Sequence, residues 1–533
     1  MNKGTFGSKS AAPDTDAVNE AGGRAYALSP REALAQLACT GTFNGTYYAS
    51  AQDQLTVVKG LLDRVVATSG GPEFIAKLAV YARRSAFMKD MPAVLLASLA
   101  GSNRISAREA LKAAFPLVID NGKMVRNFVQ AIRSGQFGRR GLGTSVKKLV
   151  AGFVRSRSPV QLLKDSIGND PSLVDVIRLA HPRPVNEEQN AAFKFFLGLN
   201  PEEGLHPVYK DLRAVVQGQP VRINPMIPWE LLVSCKLTDG QWKEIARMMG
   251  WHALRMNLNT LQRHGVLQDA EMVEMVAGRL GDPEELGKAR VMPYQIMTAY
   301  QNLGDEVPTA IRSALHRALD AAVPRKLKLP GLTALCVDVS GSMSSPVTGH
   351  RKGATTKTKC VDVAALIAGV ICKSNPDAMV VPFDTQAHPF RYVPEDSVLT
   401  NAQRLAEYGG GETACVVALQ EILTRCRSGK SPWPETIIYV SDNQSWADFD
   451  TQRGWGTRTM ELFLAHFPQK TRLVLIDLQP YTTTQASSMP GRVLNVGGFN
   501  DSVFEVIRAF TEGKKSWVQV IKAVSLDGAL RFD

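Results

Sequence analysis

Residues 332–343 read LTALCVDVSGSM. An apolar run without helical periodicity closes on a carboxylate, Asp338, and a glycine turn set between two serines. That is the ending of a strand buried on both faces. Further runs of the same kind follow: AMVVPF (378–383), ETIIYVSD (435–442) and TRLVLIDL (471–478). Between them lie helical stretches, KCVDVAALIAGVICKSN (359–375) and CVVALQEILTRCR (415–427). Apolar strand, helix, apolar strand predicts a doubly wound parallel α/β domain over 329–533.

Upstream the rhythm changes. From REALAQLA (31–38) through MPAVLLASLAG (91–101) and SLVDVIRLA (172–180) to VPTAIRSALHRALDAA (307–322), apolar residues recur at i, i+3, i+4 and i+7. Paired helices repeated over residues 24–328 predict an α-solenoid of HEAT or armadillo type, with an irregular bundle as the alternative. The boundary is expected near residues 324–331. The first 23 residues lack an apolar core and are expected to be a flexible tail.

The charge is unevenly placed. The formal +12 lies wholly in residues 1–330, with 42 basic and 30 acidic side chains; residues 331–533 carry 20 of each. Residues 101–158 alone hold twelve basic and two acidic residues. A general solubility surface predicts an even spread, so the concentration points to a polyanion, nucleic acid above all. In GKMVRNFVQAIRSG (122–135), Arg126, Gln130 and Arg133 are placed on one exposed helical face. In TSVKKLVAGFVRSR (144–157), Lys147, Lys148 and Arg155 are expected outside. Between them GQFGRRGLG puts Arg139 and Arg140 on a turn whose amides can approach phosphates.

Seven cysteines without a CxxC pair read as reduced, mostly buried thiols. No run reaches a membrane span, so a soluble cytoplasmic protein is expected. Gly429-Lys430-Ser431 lacks the first glycine of a phosphate-binding loop, and no HExxH or GxSxG occurs.

Asp338, Ser340 and Ser342 offer three hard oxygens on one turn. Thr413, in the loop GGGET (409–413), and Asp442, closing its strand, add two more. This set suits Mg²⁺, with Mn²⁺ or Ca²⁺ as alternatives, and not zinc. It resembles the metal-ion-dependent adhesion site of von Willebrand factor A domains. An anionic side chain from a partner can complete such a site, so it reads as a docking point. Asp384 and His388 are the nearest candidates for catalysis, and a plain loop role is the stronger reading of both.

A basic helical region before this A domain resembles the TROVE-domain family of Ro ribonucleoproteins. The resembling stretches are GTFNGTYYAS (41–50), GQFGRR (135–140), DVIRLAHPRP (175–184), ARVMPYQIMTAY (289–300), CVDVSGSM (336–343), YVSDN (439–443) and GGFNDSVFEVIRAF (497–510). The resemblance implies a monomeric ring of HEAT-like repeats closed by the A domain, without catalysis of its own. It implies binding of small noncoding Y RNAs and of single-stranded 3′ ends of misfolded RNA. It also implies a 3′ exoribonuclease partner, polynucleotide phosphorylase. His181 matches the family's RNA-contacting histidine and Lys164 a basic residue before the same turn, where Gly168 stands at the next basic position. The rival reading is a metal-dependent protein-interaction module of a chaperone-type complex, and a nuclease comes third.

Overall fold

In the computed structural model the structure describes residues 12–40, 43–199, 201–219, 221–322, 328–350, 358–451, 454–513 and 515–527. The chain divides into two compact units. One gathers residues 12–61, 292–302 and 319–520; the other gathers 62–291, 303–318 and 521–527.

The first unit is built on a five-stranded sheet. Its members are β3 (Thr333–Asp338), β4 (Met379–Phe383), β5 (Thr436–Ser441), β8 (Arg472–Asp477) and β10 (Val493–Gly497), ordered β10-β8-β5-β3-β4 and all parallel. β3 and β5 are buried along their whole length, which is why their sequences run apolar without alternation. The chain steps from β3 outward to β4, then returns to place β5 on β3's other side. The order reverses between β3 and β5, and a crevice for ligands opens at the carboxyl ends of such a pair. Helices Cys360–Ser374 and Val416–Arg427 cover the sheet, and helix Pro30–Thr40 packs on β10.

That last helix marks a departure from the expected division. Residues 24–61, assigned from sequence to the helical region, belong to the unit of the α/β sheet. The expected tail is ordered from residue 12 as well. β1 (Ala17–Val18) pairs with β2 (Arg24–Ala27), and β2 pairs with β9 (Thr483–Thr484). Buried Asn19 donates from Nδ2 to the Ser445 carbonyl at 2.9 Å, and its Oδ1 accepts from the Gly23 amide at 2.8 Å. This polar segment is held by strand pairing and side-chain hydrogen bonds, with Ala12 packed against the apolar core. Residues 1–11 of that tail, and 324–327 of the expected boundary, lie outside the described residues.

Helix Pro293–Gln301 joins the same unit: Thr358 donates to Thr298 Oγ1 at 3.0 Å, and the Tyr294 and Phe499 rings meet edge to face at 5.0 Å. A short two-stranded ribbon, β6 (Phe449–Asp450) with β7 (Gly454–Trp455), completes the strands among the described residues.

The second unit is helical. Helix Gly71–Arg84 packs against both Met91–Gly101 and Ile105–Val118, and Met91–Gly101 packs on Gly122–Arg133. Met91–Gly101 is apolar all round and correspondingly buried. Side-chain caps set several starts: Asn121 accepts from the Met124 amide, and Ser158 and Ser172 each form a capping box with the residue three positions on. No helix among the described residues is long and apolar enough to cross a membrane. The seven cysteines are all free, six of them buried.

Candidate functional site

β3 and β5 deliver Asp338 and Asp442 to the switch point, both at most 1 % exposed. Asp338 accepts from the Ser340 amide at 2.9 Å and from the Ser441 hydroxyl at 2.5 Å. The Ser340 and Ser342 hydroxyls lie 3.3 Å apart, and the Thr413 hydroxyl donates to Ser340 at 2.9 Å. Asp442 follows Ser441 in the chain and stands near enough to Asp338 to raise its carboxyl. The structure thus brings together all five oxygens singled out in the sequence.

Thr413 reaches the cluster because its loop lies flat against β3. The Gly410 amide donates to the Val339 carbonyl at 3.0 Å, and Gly341 donates to the Gly411 carbonyl at 2.9 Å. A Cβ on Gly409, at φ +103°, would sit 1.8 Å from the Val339 carbonyl oxygen, so only glycine fits. Asp384 and His388 sit 2.8 Å apart, and the other Asp384 oxygen accepts from the Gly411 amide at 3.2 Å. The pair braces the Thr413 loop, and both side chains are largely buried where a loop aspartate and a surface histidine were expected.

Electrostatics favour a cation here. Burial first, and Asp442 second, push the Asp338 carboxyl up to about 7. Burial likewise raises Asp442, whose Oδ2 is buried and has no hydrogen-bond partner. Two buried carboxylates with an orphaned oxygen, ringed by neutral hydroxyls, are a donor set that a hard dication satisfies. The described residues hold no cluster of three His, Cys, Asp or Glu, so any ion here depends on the hydroxyls.

Sequence reading missed Ser441 and Asp477. Ser441 neighbours Asp442 and turns back to Asp338. Asp477 closes β8 as Asp338 closes β3, fully buried, and accepts from Asn443 Nδ2 at 3.0 Å. The signal was present, since TRLVLIDL ends as the other two strands do.

The basic residues divide. Arg133, Arg140, Lys147, Lys148, Arg155, Lys164 and His181 are exposed, on helices Gly122–Arg133, Gly143–Arg155, Pro159–Asp165 and the turns beside them. Among the described residues none of them forms a salt bridge. Arg139 is half-buried and commits its guanidinium to backbone, donating to the Gly141 carbonyl at 2.7 Å and the Ala100 carbonyl at 3.0 Å. It fixes the turn that presents Arg140. His181 ends helix Leu173–Ala180 in the left-handed region, φ 50°, directly before Pro182.

Arg126 corrects the expectation of an exposed face. It is 7 % exposed and donates to the Asp165 carbonyl at 2.5 Å. The Asp165 carboxylate takes the Gly122 amide at 2.7 Å and Arg157 Nε at 2.7 Å. A Cβ on Gly168, at φ +112°, would meet Arg126 Nη2 at 2.6 Å. The buried guanidinium therefore explains why glycine stands where the family resemblance implied a cation. Arg126→Met is expected to cost about 2–3 kcal/mol in urea unfolding, the worth of a charged hydrogen bond, with RNA affinity unchanged. A tenfold drop in affinity at unchanged stability would return Arg126 to the interface.

Residues 171–329 match the TROVE domain and residues 333–511 the Ro60 vWA domain. A TROVE-domain match followed by a match to the Ro60-type von Willebrand factor A domain is the order that the motifs implied. The densest basic segment lies upstream of the matched TROVE residues. Among relatives, the RNA-binding protein RO60 of Deinococcus radiodurans is 25% identical over 528 residues, covering 93% of this chain and 95% of that protein. The RNA-binding protein RO60 of Caenorhabditis elegans is 22% identical over 308 residues, 55% of this chain and 43% of that one. The crystal structure of Deinococcus radiodurans RO (RSR) protein superposes with a TM-score of 0.62 at 22% identity, covering 91% of this chain and 100% of that chain.

Proposed function

We propose that the protein is a Ro-like RNA-binding protein of noncoding RNA quality control, without catalysis of its own. One observation carries the reading: the exposed cations Arg133, Arg140, Lys147, Lys148, Arg155 and Lys164, none of which a salt bridge neutralises among the described residues. A TROVE domain in the same chain and relatives named as RNA-binding proteins support it. The ligands proposed are Y RNAs and single-stranded 3′ ends of misfolded RNA. The proposed setting is the cytoplasm, beside a 3′ exoribonuclease such as polynucleotide phosphorylase.

Asp338, Ser340, Ser342, Thr413 and Asp442 would hold Mg²⁺, which supplies a fixed positive charge between the two buried carboxylates. The same cluster favours a second reading, a protein-docking A domain. Charge separates the two, because docking on the metal gives no reason for +10 in residues 101–158.

Salt titration of binding to a duplex with a single-stranded 3′ tail tests the RNA reading. Neutralised phosphates release counterions, so roughly six to ten of them cost about 10³ to 10⁵ in affinity between about 50 and 200 mM salt. A flat response sinks it.

A further inference from the structure

Helix Pro30–Thr40 packs its last turn against Gly497, the residue that ends β10. A Cβ on Gly497 would meet the Thr40 hydroxyl at 2.8 Å and the Gln36 backbone at 3.0 Å, so glycine lets the helix lie flat on the strand end. Gln36 and Thr40 stand four residues apart, on one face of the helix, and both are buried. Among the described residues neither amide atom of Gln36 nor the Thr40 hydroxyl has a hydrogen-bond partner. Three buried polar atoms on one helix face, each costly to leave unbonded, call for a partner.

Beside that face lies a cavity of about 20 Å³, whose walls include Leu37, Thr40, Thr46, Gln54, Gly349 and Gln479. It has room for one particle the size of a water molecule. Gln479 follows the end of β8 and is 4 % exposed; Thr40 is 6 % exposed. Gln479 Nε2 donates to the Pro346 carbonyl at 3.0 Å, which fixes the amide and leaves its buried Oε1 unbonded. Thr46 is already committed. Its hydroxyl accepts from the Tyr481 hydroxyl at 2.7 Å and from Gln54 Nε2 at 3.4 Å, and donates to the Ala49 carbonyl at 3.3 Å. The wall atoms that lack a partner are therefore oxygens, Thr40 Oγ1 and Gln479 Oε1.

The surroundings select the ligand. No carboxylate lines the cavity among the described residues, so a hard divalent ion finds none of the anionic ligands it takes. The wall does include the last turn of helix Pro30–Thr40, the end that carries partial negative charge, and that turn has no basic residue to balance it. A single positive charge satisfies the unbonded oxygens and the helix end together. We propose that this cavity binds a monovalent metal cation, Na⁺ or K⁺, held by Thr40 Oγ1 and Gln479 Oε1. The ion fastens the first helix to the end of β8. None of the Asp338, Ser340, Ser342, Thr413 and Asp442 side chains lines the cavity, so the inference does not rest on a divalent ion at that cluster.

The test uses the full chain in N-methyl-D-glucamine chloride, with Mg²⁺ at one fixed concentration throughout, titrated with NaCl or KCl at constant ionic strength. Melting temperature should climb with the preferred ion and saturate, and sodium NMR relaxation should show bound Na⁺ that K⁺ displaces. Thr40→Val keeps the shape and deletes the oxygen. It should weaken binding about tenfold or more, the loss of one contact to a charged group. Its melting temperature without Na⁺ or K⁺ should equal or exceed that of wild type, because an unbonded hydroxyl is gone. Gln479→Glu places a carboxylate on the wall and should tighten binding about tenfold, which keeps the test open if Thr40→Val does not fold. Melting of wild type that ignores both ions, with no bound Na⁺, overturns the proposal and leaves one buried water in the cavity. Bound Na⁺ of equal affinity in wild type and both variants overturns it too, since the ion then sits elsewhere.

Discussion

Replacing Lys147, Lys148 and Arg155 together with glutamate is expected to weaken RNA binding by about two orders of magnitude or more at low salt. Each side chain is exposed on helix Gly143–Arg155, where Val146, Leu149, Val150 and Phe153 make the buried stripe. The triple change removes three phosphate partners and sets three anions in their place. It should also flatten the slope of log affinity against log salt by roughly two, about 0.7 for each single-strand phosphate left without its cation. Stability should hold within about 0.5 kcal/mol per site, because none of the three bears packing. The informative control is Lys430→Glu with Lys470→Glu and Lys515→Glu, the same charge change on exposed positions of the neutral α/β region. Equal weakening by both triples, in a filter-binding titration, would mean that RNA responds to net charge alone and that the basic helices form no interface.

Residues 332–343 allowed the α/β region to be read correctly because a buried parallel strand writes itself twice, in apolar continuity and in the residue that ends it. Asp338 and Asp442 were legible for that reason, and Asp477 was available to the same rule. Arg126 was not legible. Helical spacing places a side chain on a face, but whether that face is wet depends on what packs against it. Here the partner is Asp165, on another helix and a different stretch of chain. The same limit hid the ordering of residues 12–23. A polar segment reads as a tail unless its hydrogen-bond partners are known, and those of Asn19 and Glu20 lie on Ser445 and Gln444.

The second large effect expected is a pH-dependent response to Mg²⁺. In an unfolded chain an aspartate titrates near 4. In the fold, burial and then the neighbouring Asp442 push Asp338 up to about 7, and Asp442 and Asp477 are raised as well. A raised carboxyl holds its proton in the folded state after the unfolded state has released it. Its folded form is therefore undiminished below about pH 4 and loses stability as pH climbs toward about 7. Metal-stripped protein should accordingly melt at lower temperature at pH 8 than at pH 5. Mg²⁺ needs the ionised carboxylates, so its binding displaces protons at low pH and proceeds freely at high pH. At about a hundred times its Kd a ligand stabilises by roughly 2.7 kcal/mol. For a unit of some 200 to 250 residues that is a rise in Tm of about 5–10 °C at pH 8, shrinking toward zero at pH 5. Asp338→Asn should remove the response and flatten the metal-free pH profile, because it deletes one of the two mutually repelling charges. A Mg²⁺-induced shift equal at pH 5 and pH 8, or one that survives in Asp338→Asn, would place the ion elsewhere and leave the buried pair of carboxylates without a partner.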